Sequence, residues 1–237
     1  MAKHKKEATL LLLVKVGSHA NMSALIDCGT IYINHWNYFR RVEPRSSRRD
    51  EWEGYTRILQ PNAIRGITIT RDNCPAIELS PAGPVKMYIP DHDRFRASHV
   101  YCMTGVSTRD AQWRRRIIHP RMAEFGDTAV VIHDTVEFLT RFRSAVETYG
   151  FPPAHMVATG CVHYVPEKYS GDYSAFHKRQ SHDWQREFRI LVAAGSKFSE
   201  PLSIGIGSLR DVAHLVTVSE MKNEIRRVGG AVQFVVN

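Results

Sequence analysis

Between Phe176 and Val192 the chain reads FHKRQSHDWQREFRILV, a basic, polar stretch that becomes an apolar strand within its own length. At the crossover stands Trp184-x-x-Glu187-Phe188-Arg189, one acid between Arg186 and Arg189. Successive side chains of a strand face opposite sides. A strand opening at Glu187 therefore puts Phe188, Ile190 and Val192 on one face and Glu187, Arg189 and Leu191 on the other. An acid at the mouth of a buried strand is costly unless it is paired or used. Two outcomes follow: an ion pair with Arg189 or a neighbour, or a carboxylate that carries chemistry. Any fold of this chain has to satisfy that acid.

The other segments supply a sheet and helices around it. Residues 10–16 are an apolar run of strand length, broken by Gly17-Ser18, and Ser18 is placed to cap a helix through about Asp27. Met22, Leu25 and Ile26 share one stripe of that helix, and Cys28-Gly29 ends it. Residues 30–34 read as a second strand, and residues 42–50 as an exposed charged loop. Strand-like runs follow near 55–59, 64–70 and 85–89, with turn formers over 72–84. Residues 96–104 hold a strand buried at its middle, and Pro120 interrupts any helix through residues 108–124.

TAVVIHD, residues 128–134, predicts a buried strand, and Asp134 or Thr135 caps a helix through about Tyr149 with Val136, Leu139, Phe142 and Val146 inward. Residues 155–164, 202–206 and 231–236 read as strands, 209–216 as helix or strand, and 221–228 as a short helix. No repeat or linker appears. The expectation is one α+β domain over residues 1–237: a mixed, largely antiparallel β-sheet core flanked by helices.

A net charge of +8 points to an anionic partner, nucleic acid or an acidic protein. The excess is clustered at 40–49 and 114–121, which makes Arg114, Arg115, Arg116 and Arg121 the candidate partner surface. Four dispersed cysteines form no C-x-x-C pair, as expected in a reducing compartment. No stretch reaches the roughly 20 apolar residues of a membrane span. The basic opening lacks a cleavage pattern after its apolar run, so a cytoplasmic location is expected. Asp50, Glu51 and Glu53 are either a solvated loop or oxygen ligands for a divalent ion. Cys102, in an apolar run, reads as a buried thiol rather than a nucleophile. No histidine pair has the spacing of a zinc protease, and no metal is assigned.

The order of these motifs resembles a large, mostly uncharacterised family of bacterial and phage proteins. The residues that carry the likeness are Lys15-Val16-Gly17-Ser18 and the helix from Met22 to Ile26, residues 30–34, Tyr38-Phe39, and the acids from Asp50 to Glu53. They continue with Cys102-Met103-Thr104, Trp113, Phe125-Gly126, Tyr164, and finally Phe176, Lys178, Trp184, Glu187 and Arg189. The family usually places a second acid before the last one, where this chain has Gln185.

One step further, the order is similar to that of the ADP-ribosyltransferase fold, and Asn21-Met22-x-x-Leu25 to the short helix of its DNA-targeting members. That resemblance implies NAD as substrate, in a phage, toxin or antiviral-defence setting. It implies Lys15 at the NAD ribose or phosphates, Thr104 beside the nicotinamide, Arg189 at the cofactor and Glu187 as the catalytic acid. Lys15 stands where arginine or histidine is usual, and a point charge binds less directionally.

Two other readings stay open. One is a non-catalytic basic module, in which the run from His35 to Arg41 stacks bases or is simply core. The other is a metal-dependent nuclease using Asp50 and Glu53.

Overall fold

The computed structural model describes residues 9–36, 38, 47, 50–72, 74–80, 85–90, 98–108, 118–149, 157–193, 200–228 and 231–234. The run LLLLVKVG forms strand β1 (Leu10–Gly17). Ser18 then caps helix α1 (His19–Cys28), its Oγ accepting the Asn21 N–H at 3.4 Å. Met22, Leu25 and Ile26 are buried along one stripe of α1. The helix stops at Gly29, whose φ of 63° is left-handed; a Cβ there would stand 1.9 Å from the Gly207 carbonyl oxygen.

The chain continues through β2 (Thr30–His35), β3 (Tyr55–Leu59), β4 (Ile67–Ile69), β5 (Ile77–Leu79), β6 (Met87–Pro90), β7 (Ser98–Ser107) and β8 (Thr128–Ile132). Helix α2 (Thr135–Thr148) leads into β9 (Val157–Cys161), β10 (His163–Val165), β11 (Gly171–Asp172), β12 (His177–Arg179), β13 (Glu187–Ala193), β14 (Leu202–Gly205) and β15 (Ala213–Thr217). Helix α3 (Val218–Glu224) and the antiparallel pair β16 (Ile225–Val228) and β17 (Ala231–Phe234) complete the described chain.

This is an α+β protein built on one eight-stranded sheet, in the order β14-β2-β7-β1-β8-β15, with β13 also against β7 and β9 outside β13. Every pairing in that sheet is antiparallel. Strand β7 is its hub. One edge is bonded to β13 from Ser98 to Thr104. The opposite edge is shared: His99 and Val100 face β2, and Thr104 to Ser107 face β1. Between these two contacts β1 and β2 part, and the sheet opens.

The β13 alternation is as the sequence implies. Phe188, Ile190 and Val192 join Leu13, Tyr101 and Met103 in the core beneath α1 and α2. The other face of β1 and β8 packs Val14, Val16 and Val131 against Met122 and Met221. A third cluster, Trp52, Ile58, Val165 and Tyr173, lies under the small β3–β6–β11 sheet.

Four expectations change. On α2 the buried stripe is Phe138, Phe142 and Val146, with Leu139 packed at its edge, whereas Val136 is 75% exposed. At 100° per residue, Val136 lies nearly opposite Phe138. The run 155–164 is not one strand. The chain leaves β9 at Val162, whose N–H donates to the Glu187 carbonyl, and β10 then pairs in parallel with β12. The last helix begins and ends earlier than its pattern implies, because residues 225–228 are drawn into β16. Residues 77–79 form β5 inside a turn-rich stretch. No helix among the described residues is long and apolar enough to cross a membrane.

Phe142 is fully buried against Phe138 and Tyr101. Its replacement by Ala is expected to cost about 3–5 kcal/mol, as for other buried aromatics. Val136→Ala should stay within about 0.5 kcal/mol. Urea unfolding of both variants separates the observed helix face from the one the spacing suggests.

Candidate functional site

The opening between β1 and β2 is a matter of hydrogen-bond direction. Gly105 donates its N–H to the Arg186 carbonyl at 2.8 Å, which fixes the alternation along β7. Val100, Cys102 and Thr104 consequently turn their backbone groups to the opposite edge. Val100 meets β2 and Thr104 meets β1, but Cys102 falls in the gap. Its carbonyl is taken by Lys15 Nζ at 2.7 Å, and the same ammonium lies 4.2 Å from the centre of the Tyr101 ring. A lysine at the end of β1 thus satisfies a carbonyl that no strand reaches.

A cavity of about 770 Å³ lies at this split. All four residues singled out for cofactor binding and catalysis, Lys15, Thr104, Glu187 and Arg189, are on its wall. Glu53 and Lys178 join them. Glu187 opens β13 opposite Thr104, with its N–H donating to the Tyr164 hydroxyl oxygen at 2.8 Å. Its side chain is 5% exposed. Oε2 accepts from Lys178 Nζ at 2.6 Å and Oε1 from Arg189 Nε at 2.5 Å. A carboxylate offers about four acceptor sites; the Cys102 side chain also hydrogen-bonds to it, so room remains for one ligand donor.

Arg189 is the centre of the arrangement. Beyond Glu187, its Nη1 lies 2.7 Å from Glu53 Oε1 and its Nη2 donates to Glu53 Oε2 at 3.1 Å. Nη1 also donates to the Ala175 carbonyl, and the guanidinium lies 5.3 Å from the Trp36 ring centre. Trp36, from the aromatic run considered for base stacking, is thereby core; Tyr38 of the same run lines the cavity, and Asn37 and residues 39–41 lie outside the described residues.

The electrostatics separate the two acids. Burial pushes the Glu187 carboxyl up, but Arg189 and Lys178 outweigh it and hold the group well below the usual carboxylate range. Burial also opposes the charge on Lys178, and Glu187 more than restores it. Glu53 goes the other way. Burial raises it to about 7 despite Arg189 and Lys178, with Asp50 and Glu187 pushing in the same direction. Cys102 shows part of its surface, yet the depth of the site and then Glu187 push its thiol up, so it is no nucleophile.

The acidic run 50–53 is not a solvated loop. Asp50 and Glu53 are buried, and only Glu51 is exposed. Asp50 Oδ1 accepts from Arg179 Nε at 2.9 Å and from the Trp52 N–H at 3.1 Å. The physical reason is the chain's own cations: β12 and β13 present Arg179 and Arg189 to the turn, where Arg179 takes Asp50 and the exposed Glu51, and Arg189 takes Glu53. No group of three or more histidine, cysteine or acidic side chains is placed to hold a metal ion among the described residues.

Gln185, at the position of the resembled family's second acid, accepts from Lys178 Nζ at 2.8 Å through Oε1 and donates Nε2 to the Ser47 carbonyl at 2.7 Å. The Thr104 hydroxyl donates to the Gln185 carbonyl at 3.0 Å, so that side chain braces the wall. Arg121 is not among the residues of the cavity wall; it is bonded to Glu124 at 2.6 Å and lies 4.4 Å from the Trp184 ring centre. Arg114, Arg115 and Arg116 lie outside the described residues.

No protein-family model, curated protein or solved structure matches this chain.

Sequence reasoning missed Glu53 as a member of the site. Its signal was an acid in a short run before β3, which is indistinguishable in sequence from surface charge. Lys178 was visible as a motif residue but without a role. Its place in β12 puts it directly under Glu187.

Removing one partner of a buried pair leaves the other charge uncompensated, at about 3–5 kcal/mol. Arg189→Met is expected to lose that much in urea unfolding. Arg57→Met, whose partner Asp172 is 85% exposed, should lose under about 1 kcal/mol. Because the folded-state value of Glu187 is depressed, its contribution is complete above its ordinary value of 4.5 and is lost as pH falls below it.

Proposed function

We propose that this protein breaks the nicotinamide–ribose bond of NAD and passes the ADP-ribosyl group to an acceptor, with Glu187 as the catalytic carboxylate. The observation that carries the reading is the convergence of Lys15, Thr104, Glu187 and Arg189 on one cavity at the split of the sheet. Those residues come from β1, β7 and β13, and only the tertiary fold brings them together.

The chemistry suits the site. Departure of nicotinamide builds positive charge on the ribose, and a fixed carboxylate stabilises that charge more in the transition state than in the ground state. Glu187 is ionised throughout the physiological range and pinned on both oxygens, so it needs no reorganisation when the charge develops. Among the described charged residues of the wall, three cations, Lys15, Lys178 and Arg189, accompany two carboxylates. That balance favours a ligand with a pyrophosphate. The cavity volume is within the range of about 300–1,000 Å³ of small-molecule sites.

The other readings have less support. Asp50 is bonded by Arg179 and the Trp52 N–H and is not on the cavity wall, so it does not join Glu53 there as a pair of metal ligands, which disfavours a nuclease built on the two. The one described member of the basic partner surface, Arg121, is held by Glu124 and Trp184. The acceptor is nucleic acid, protein or water.

Purified protein incubated with NAD and DNA, RNA or cell extract is expected to release nicotinamide. Glu187→Gln should lower that release by about 100-fold or more, the scale of losing a stabiliser of transition-state charge, while far-ultraviolet dichroism shows the fold retained. No release from the wild type with any acceptor, or equal release from the variant, removes the proposal.

A further inference from the structure

We infer that Glu53 is the general base of this cavity, taking the proton of the acceptor as it attacks the ribose carbon. The inference rests on the NAD-cleaving reading above and adds a second catalytic group to it.

Three observations carry it. Glu53 and Glu187 line the same cavity although they are 134 positions apart in the chain. Arg189 grips both through different nitrogens, Nε for Glu187 and the two terminal nitrogens for Glu53, so their separation is fixed. Arg189 is thus a positioning residue for each. Finally, Gln185, two positions before Glu187, is an amide and not a base, which leaves Glu53 as the second carboxylate of the wall among the described residues.

The surroundings divide the labour. Glu187 touches two cations, Lys178 and Arg189. Glu53 touches Arg189 alone among them, and it also faces Lys178, Asp50, Glu187 and the buried Tyr173. Burial and the neighbouring acids raise Glu53 to about 7, near the pH at which a base both exists in quantity and holds a proton well. Two carboxyls of one site driven apart in this way mark an acid–base pair of roles. Glu187 stays charged and faces the ribose, and Glu53 exchanges the proton.

The step balances without another reactant. The acceptor's O–H or N–H attacks the anomeric carbon and forms one bond to it. The bond from that carbon to the pyridinium nitrogen breaks, and its electron pair leaves with nicotinamide, which departs neutral. The acceptor's proton passes to the Glu53 carboxylate and from there to water.

The test measures nicotinamide release and urea stability between pH 4.5 and 9 for wild type, Glu53→Gln and Glu53→Asp. The wild-type rate is expected to rise about tenfold per pH unit and level off near 7. Glu53→Gln should lose about 100-fold or more of the plateau together with the rising limb, while still binding NAD by calorimetry. Glu53→Asp keeps a titrating carboxylate and should keep the limb at a lower plateau.

Stability supplies a readout independent of turnover. A raised folded-state value means that the native protein holds a proton that the unfolded chain has released. Glu53 should therefore contribute a fall in stability as pH rises from 4.5 through 7, set against the opposite slope from His99, His177 and His182, whose folded-state values burial lowers, and Glu53→Gln should remove the Glu53 contribution from the wild-type slope. A Glu53→Gln enzyme with the wild-type limb, or with the wild-type slope of stability, overturns the assignment to Glu53 while leaving the NAD reading intact. If Glu53→Gln fails to fold, an unchanged plateau in Glu53→Asp overturns it instead. No nicotinamide from the wild type overturns both.

Discussion

A single buried guanidinium ties the late strand of the main sheet to a turn 136 residues earlier in the chain. Arg189 is 2% exposed and bonds Glu187 on its own strand and Glu53 across the fold. Its charge is compatible with such burial only because carboxylates and a carbonyl take its donors. Lys178 repeats the device at smaller scale, bonding Glu187 and Gln185. The resulting network is worth little as net stability against an apolar core of the same volume. Its effect is to fix positions. Two acids are held at set distances on a wall that would otherwise be shaped by interchangeable apolar contacts.

The sheet supplies the space for that wall. Strand β7 serves β13 along one edge, and divides the other between β2 and β1. Where those two diverge, the Cys102 carbonyl is left over, and Lys15 satisfies it from the side. The cavity thus follows from backbone bonding rather than from missing side-chain volume. Helix α1 closes one side of the opening, positioned by the Ser18 cap at its start and by Gly29 at its end. The tight approach of Gly207 at Gly29 explains why no side chain is tolerated there.

Much of the fold was legible from local signals. Ser18, Gly29 and Asp134 announce their helix ends, because caps act within three or four residues. The faces of β13 follow from alternation alone. Errors arose where a local pattern was overridden by partners. Val136 is apolar but on the wrong side of α2, and residues 225–228 carry a helical pattern yet pair with residues 231–234. The break at Val162 has no sequence marker: its N–H still bonds the Glu187 carbonyl as the last rung beside β13, and the next residue, His163, bonds the Phe176 carbonyl instead. The candidate site divides in the same way. Glu187 and Arg189 stood out as charges on an apolar strand, whereas Glu53 resembled any surface acid until Arg189 was placed beside it.

The sequence by itself determined the α+β class, the strand that begins at Glu187 and the requirement that this acid be answered, because side-chain alternation and desolvation operate within a few residues. Arg189, two positions along the same strand, was already named by the sequence as a partner, and tertiary structure alone decided the rest: Lys178 from the short strand β12, and Glu53 brought in through Arg189. Charges act through space, and the distance between them is set by the fold rather than by their separation along the chain.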